Sequence, residues 1–203
     1  MKKRCICPHC NYPQTVCICA FINEVEVPLQ ITILQHPLES KHGKNTARLL
    51  PLCIENSEIL IGENEQDFAD VKEPVISTFQ NTWVLYPNTD SQPLEEHKTH
   101  YPNTLPDRLI VIDATWRKAT KMWQLNPWLH ELPSWHFNTL PQNQYRIRKS
   151  KLEHSLSSLE ATAHALKLIY NTDTQPLLTL FDAMQKQQEK HTPSHHLNNR
   201  FKV

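Results

Sequence analysis

Apolar residues in this chain gather in short runs that alternate between two periods. Ile31, Ile33 and Leu34 predict a strand over residues 29–34 that hands over to His36-Pro37, and residues 58–61 predict another. Further strands are read near 82–86, at 109–113 and at 135–137. The run Leu109-Ile110-Val111-Ile112 lacks polar alternation, the mark of a strand covered on both faces in a parallel sheet. It stops at Asp113, and open α/β sheets gather their ligands at the carboxyl ends of such strands. Helical spacing takes over from Asn45 to about Leu50, where Pro51 is read as a breaker, then from Trp116 to about Gln124, over 157–170 and over 176–190. In the 157–170 helix Leu156, Leu159, Ala163, Leu166 and Tyr170 mark one buried stripe. Residues 87–108 hold four prolines among polar residues and read as a surface loop. Alternating strands and helices predict an α/β fold.

Composition narrows this picture. A length of 203 residues with 39% hydrophobic content allows one core plus a small appendage. No apolar run approaches the roughly 20 residues a membrane helix needs, so the sequence predicts a soluble, cytoplasmic protein with no membrane partner. Lys and Arg total 21 and Asp and Glu total 21, so a polyanionic partner has to be drawn by local patches. Residues 55–73 hold Glu55, Glu58, Glu63, Glu65, Asp67, Asp70 and Glu73 against Lys72, and read as a solvated face turned away from phosphate. Residues 141–151 hold Arg146, Arg148, Lys149 and Lys151 with no acid. With Gly43 and Gly62 as its only glycines, the chain has no G-x-G-x-x-G turn, which argues against a Rossmann nucleotide site.

Two clusters carry candidate chemistry. Five of the six cysteines lie between Cys5 and Cys19. Among them Cys7, Cys10, Cys17 and Cys19 form a C-x2-C pair and a C-x-C pair across a short loop, a spacing that closes a tetrahedral structural zinc site. Cys5 is then spare, although Cys5 and His9 remain possible substitutes, and Cys53 reads as a small buried hydrophobe. The second cluster is Asp113-Ala-Thr115-Trp116, in which Asp113 or Thr115 could simply cap the following helix. Ser157-x-x-Glu160 has the form of a capping box, and Ser158 beside it sits at a helix start whose N–H groups and dipole favour an anion. His36 and Glu39 follow a strand end, which favours a pocket that Asn45 and Arg48 would extend, while Asn45 could also serve only as a cap.

Asp113-Ala-Thr115-Trp116 and the cysteine cluster together resemble the DTW-domain family. The resemblance extends through Gln35-His36-Pro37-Leu38-Glu39, Asn45-Thr46-Ala47-Arg48-Leu49-Leu50, Leu85-Tyr86-Pro87, Trp116-Arg117-Lys118-Ala119, Tyr145-Arg146-Ile147-Arg148-Lys149 and Leu156-Ser157-Ser158-Leu159-Glu160-Ala161, in that order. It implies a SPOUT-like α/β core with a C-terminal trefoil knot, and a zinc knuckle over residues 1–24. A catalytic domain would span 25–190 and a disordered tail 191–203. It also implies transfer of the 3-amino-3-carboxypropyl group of S-adenosylmethionine to N3 of a uridine in tRNA, releasing 5′-methylthioadenosine. By resemblance to bacterial members the target uridine lies in the variable loop. A SPOUT methyltransferase and a non-catalytic zinc-dependent RNA-binding protein are the alternatives.

On this reading Asp113, Thr115 and Trp116 are catalytic, and Leu140, Pro141, Tyr145, Ser157, Ser158 and Glu160 hold S-adenosylmethionine. His36, Glu39, Asn45, Arg48, Arg117, Lys118, Arg146, Arg148 and Lys149 meet the RNA, with Tyr145 and Trp116 available for stacking. Asp113 is either the base that removes the N3 proton or an anchor for the donor, and sequence leaves both open.

Overall fold

The computed structural model describes residues 5–77, 81–100, 104–147 and 155–190. Six parallel strands form one sheet: β1 (Gln30–Gln35), β2 (Ser57–Ile61), β3 (Thr82–Leu85), β4 (Gln92–Pro93), β5 (Arg108–Asp113) and β6 (Ser134–His136), in the order β2-β1-β5-β3-β6-β4. β1 and β5 pair along their whole lengths, which sets Gln35 opposite Asp113 at their carboxyl ends. The chain leaves β1 toward β2 on one side and leaves β5 toward β6 on the other, so this pair marks the point where the connections diverge, where open α/β sheets form a crevice.

The strands alternate between two buried layers. Ile31, Ile33, Leu109, Val111, Trp83 and Trp135 face one core with α6 (Ser158–Tyr170), α7 (Gln175–Lys190) and α2 (Leu50–Cys53). Leu34, Ile110 and Val84 face the other, with α3 (Ala69–Ser77) and α5 (Trp116–Leu125). Two covered faces are why β5 could be an unbroken aliphatic run. The cysteine loop joins the first core through the buried Cys10, Tyr12 and Ile18. Among the described residues no helix is long and apolar enough to cross a membrane.

Three expectations are revised. Pro51 does not end a helix: a 3-10 turn over Ala47–Leu49 runs into α2, which Pro51 opens at a position where its missing N–H has no intrahelical partner. The acidic stretch is no mere solvated face, because its second half is a 3-10 turn (Glu65–Phe68) continuing into α3, with Phe68, Val71 and Val75 buried. Asn64 accepts from the Asp67 N–H while the Asp67 carboxylate accepts from the N–H groups of Asn64 and Glu63, a capping box. Gly62 is required there, since a Cβ would come within 2.4 Å of the Asp67 Cβ. The 87–108 loop contains the edge strand β4 and the short helix α4 (His97–His100), held by buried Leu94 and His97. The short α1 (Pro37–Ser40) follows β1 directly, capped by the His36 ring, which accepts from the Leu38 N–H. The 191–203 tail lies outside the described residues.

Candidate active site

Asp113 ends β5 almost fully buried, with both carboxylate oxygens engaged. Gln35 Nε2 donates to Oδ2 at 2.8 Å, Asn45 Nδ2 donates to the same oxygen at 2.6 Å, and the Ser158 hydroxyl donates to Oδ1. Gln35 is its register partner on β1, and Asn45 arrives from the turn that precedes the Ala47–Leu49 segment, where its Oδ1 also accepts from the Arg48 N–H. Asn45 is thus a cap and a ligand of Asp113 at once. Thr115 takes the N-cap position of α5 without a side-chain capping bond and is exposed, as is Trp116.

Beside this network lies an apolar cavity of about 280 Å³ at the carboxyl ends of β3, β5 and β6, near the lower end of ligand-site sizes. Its lining includes Tyr86 and Pro87 after β3, Ala114 and Trp116 after β5, His136 and Phe137 at the end of β6, Leu140, and Ser158 at the start of α6. Trp116 and Leu140 are both substantially exposed at its rim. The structure therefore brings Asp113, Trp116, Leu140 and Ser158 together.

The remaining candidates divide. Ser157 and Glu160 form the expected capping box, with the Ser157 N–H and hydroxyl donating to Glu160 Oε2 at 2.9 and 2.7 Å. Glu160 Oε1 accepts the Gln144 N–H at 2.6 Å, which ties the loop after β6 to α6. Pro141 and Glu160 line a neighbouring cavity of about 340 Å³, not the one under Trp116. Tyr145 packs edge-on to Phe181 and donates to the Lys44 carbonyl, while the buried Gln185 clamps the Arg146 N–H and the Gln144 carbonyl. Arg48 turns to the cysteine loop, where its guanidinium lies 4.2 Å above the Tyr12 ring and donates to the Asn11 carbonyl.

His36 and Glu39 sit in a second polar cluster, tied to the first by the His36 N–H, which donates to the Asp113 carbonyl at 3.0 Å. His36 Nε2 is 3.3 Å from Glu63, Glu63 is 3.0 Å from Lys121, and Lys118 is 3.3 Å from the buried Glu39. The Lys121 ammonium, through its hydrogen bond, holds the Glu63 carboxyl below the ordinary carboxylate range against the opposing effect of desolvation. The sequence reads Glu63 as part of a solvated face turned away from phosphate, yet it pairs with Lys121 of α5, next to the Lys118–Glu39 pair of the same helix. Arg117 is exposed on the same helix. Arg146 lies in a segment without acids, but Asp182 at 2.9 Å and Glu189 at 3.5 Å on α7 pair with it. Arg148 and Lys149 lie outside the described residues.

The four expected metal ligands converge. The sulfur atoms of Cys7, Cys10, Cys17 and Cys19 all lie within 4.8 Å of one another, with 3.5 Å between Cys7 and Cys19 and 3.8 Å between Cys10 and Cys17. Zn–S bonds near 2.3 Å give a tetrahedron with edges of about 3.8 Å, close to the two shortest separations, so the set suits zinc. Asn11 adopts φ 57° to turn the loop between the pairs, and the Cys10 and His9 N–H groups point at Cys7, drawing its thiol down to about 6. Cys19, crowded first by Cys17, is pushed up instead. Four thiolates at this spacing call for a cation among them. Cys5 is exposed and outside the set.

These features define an α/β protein with a parallel sheet, a ligand-sized cavity at its strand ends and a four-thiol knuckle. A family model described as DTW domain matches residues 4–189, and the chain belongs to that family. It is similar to the tRNA-uridine aminocarboxypropyltransferase 2 of Macaca fascicularis, at 30% identity over 83% of this chain and 57% of that protein, and equally to that of Mus musculus. The Drosophila melanogaster protein of the same name is 33% identical over 88% of this chain and 74% of its own length. The chain thus spans little more than half the length of the two mammalian relatives. No solved structure matches it.

Proposed function

We propose that this chain transfers the 3-amino-3-carboxypropyl group of S-adenosylmethionine to N3 of a uridine in tRNA. The observation that carries the reading is the apolar cavity at the ends of β3, β5 and β6, rimmed by Trp116 and floored by Ser158, in a chain of the DTW family. Trp116 offers an exposed aromatic face for a base. Ser158 donates its hydrogen to Asp113, so its oxygen is left as an acceptor for the donor's α-ammonium group, and the α6 N-terminus supplies the positive end of a helix dipole for the donor's carboxylate. Asp113 then acts through Ser158: three hydrogen bonds fix it, and it orients the pocket wall. In moving a three-carbon chain in place of a methyl, the site must set N3 in line with the bond from sulfur to the γ-carbon, about 3–3.5 Å away.

We place this machinery on a SPOUT-like core with a C-terminal trefoil knot. The reading draws support from the way the 141–147 loop lies across the start of α6 through Gln144 and Glu160, while α6 itself returns to β5 through Ser158 and Asp113. The knuckle is a structural zinc site held by Cys7, Cys10, Cys17 and Cys19, and its free thiol set suits the cytoplasm. The expected result is that tRNA nucleosides from cells lacking the gene lose 3-(3-amino-3-carboxypropyl)uridine; an unchanged nucleoside profile would count against the reading.

For tRNA, Arg117 on α5 is the better phosphate contact, since Lys118 and Lys121 of that helix pair with Glu39 and Glu63. Arg146 is occupied by Asp182 and Glu189, so Arg146→Ala should leave the salt dependence of tRNA binding nearly unchanged and act on the 143–147 loop instead. Exposed Arg117, replaced by alanine, should reduce the slope of log affinity against log salt by about 1. Titrations at several salt concentrations check both; a lowered slope in Arg146→Ala would return that residue to the RNA surface.

A further inference from the structure

The cavity holds one ring nitrogen set up as a base. Ser91 Oγ donates to the Asn88 carbonyl at 2.8 Å, which uses its one hydrogen, and it accepts the Asn88 N–H at 3.0 Å. With the Ser91 hydrogen on the Asn88 carbonyl, His136 Nδ1, 2.9 Å from the same oxygen, is the donor of that pair. This arrangement assigns the imidazole the Nδ1–H tautomer. Its Nε2 then carries an unshared pair, and no hydrogen bond to it is formed among the described residues, while His136 is part of the lining of the cavity that also presents Trp116 and Ser158. Asp113, by contrast, has three donors on its two oxygens and does not line that cavity.

Resting on the aminocarboxypropyl-transfer reading, we propose that His136 is the catalytic residue that removes the N3 proton of the target uridine, with Ser91 fixing its tautomer. As the N3–Cγ bond forms, the N3 proton passes to Nε2 and the Cγ–S bond of the sulfonium donor breaks. The electron pair stays on sulfur, which leaves as the neutral thioether 5′-methylthioadenosine. The imidazolium returns its proton to water. A general base of this kind contributes about 10²–10⁴-fold to the rate.

The first test needs no turnover. In protein labelled with ¹⁵N-histidine, the His136 signals, identified by their loss in His136→Gln, should show Nδ1 protonated and Nε2 bare; an Nε2–H tautomer would overturn the proposal. The second compares single-turnover rates on tRNA carrying uridine and 5-fluorouridine, whose N3 is more acidic and needs a base less. His136→Gln should lose about 10²–10⁴-fold on uridine and distinctly less on 5-fluorouridine, at unchanged affinity for S-adenosylmethionine. Equal losses on both substrates would overturn the assignment alone, since wild-type turnover would still support the transferase reading. Absence of product from wild-type protein would remove both. Should His136→Gln fail to fold, Ser91→Ala takes its place: it should show a smaller loss on uridine that again narrows on 5-fluorouridine, and equal loss would overturn the proposal.

Discussion

Asp113→Ala is expected to abolish product formation and to lower folding stability, whereas Asp113→Asn is expected to keep the fold and weaken donor binding. Alanine strands the Gln35 and Asn45 amides and the Ser158 hydroxyl beside a buried hole. Each buried donor left unsatisfied costs about 1–3 kcal/mol. Asparagine can keep all three contacts: its oxygen accepts from Gln35 and Asn45, and its amide donates to Ser158. That last bond reverses the Ser158 hydroxyl, which then presents a hydrogen to the cavity where the native protein presents a lone pair. Donor affinity should fall about 10–100-fold, the scale of one hydrogen bond to a charged group. Thermal melts and calorimetric titration with S-adenosylmethionine separate the two variants. Native donor affinity in Asp113→Asn combined with a rate loss above about 10²-fold would make the carboxylate the base after all.

Loss of one knuckle thiolate should be as damaging. Purified protein should carry about one zinc ion per chain, because the four sulfurs already cluster at the spacing of the corners of a zinc tetrahedron, all within 4.8 Å of one another. Cys10 and Ile18 are part of the main core, so the metal is tied to folding of the sheet layer and not to a detachable finger. Zinc binding to such sites contributes on the order of 10 kcal/mol to the ordered state. Cys10→Ser or Cys17→Ser should therefore remove the metal, and soluble yield with it, while exposed Cys5→Ser should retain both. Metal analysis and melting with and without a chelator check this; a folded, reduced, metal-free preparation with native stability would contradict it.

The parts that were legible in the sequence are those whose signal is local. The cysteine set spans 13 residues from Cys7 to Cys19, β5 announces itself by four aliphatic residues, and the Ser157–Glu160 box occupies one helical turn. α3 was hidden because the buried stripe of Val71 and Val75, with Phe68 in the turn before it, is diluted by acids, and β4 because two residues ending in Pro93 carry no period. Polar partners distant in sequence were hidden altogether. Ser91 stands 45 residues from His136, and Asp182 stands 36 from Arg146, so neither the tautomer lock nor the neutralised arginine has a sequence signature. Asp113 was legible as a site residue from its strand end, but its role depended on Gln35, 78 residues away, and on Ser158, 45 residues away.

The coproduct of the reaction tests the central claim most directly. Purified protein incubated with S-adenosylmethionine and unmodified tRNA should release 5′-methylthioadenosine in one-to-one proportion with 3-(3-amino-3-carboxypropyl)uridine formed in the RNA. Release of S-adenosylhomocysteine together with a methylated base would mean that the cavity turns the methyl group, and not the γ-carbon, toward its substrate, and would contradict the assignment.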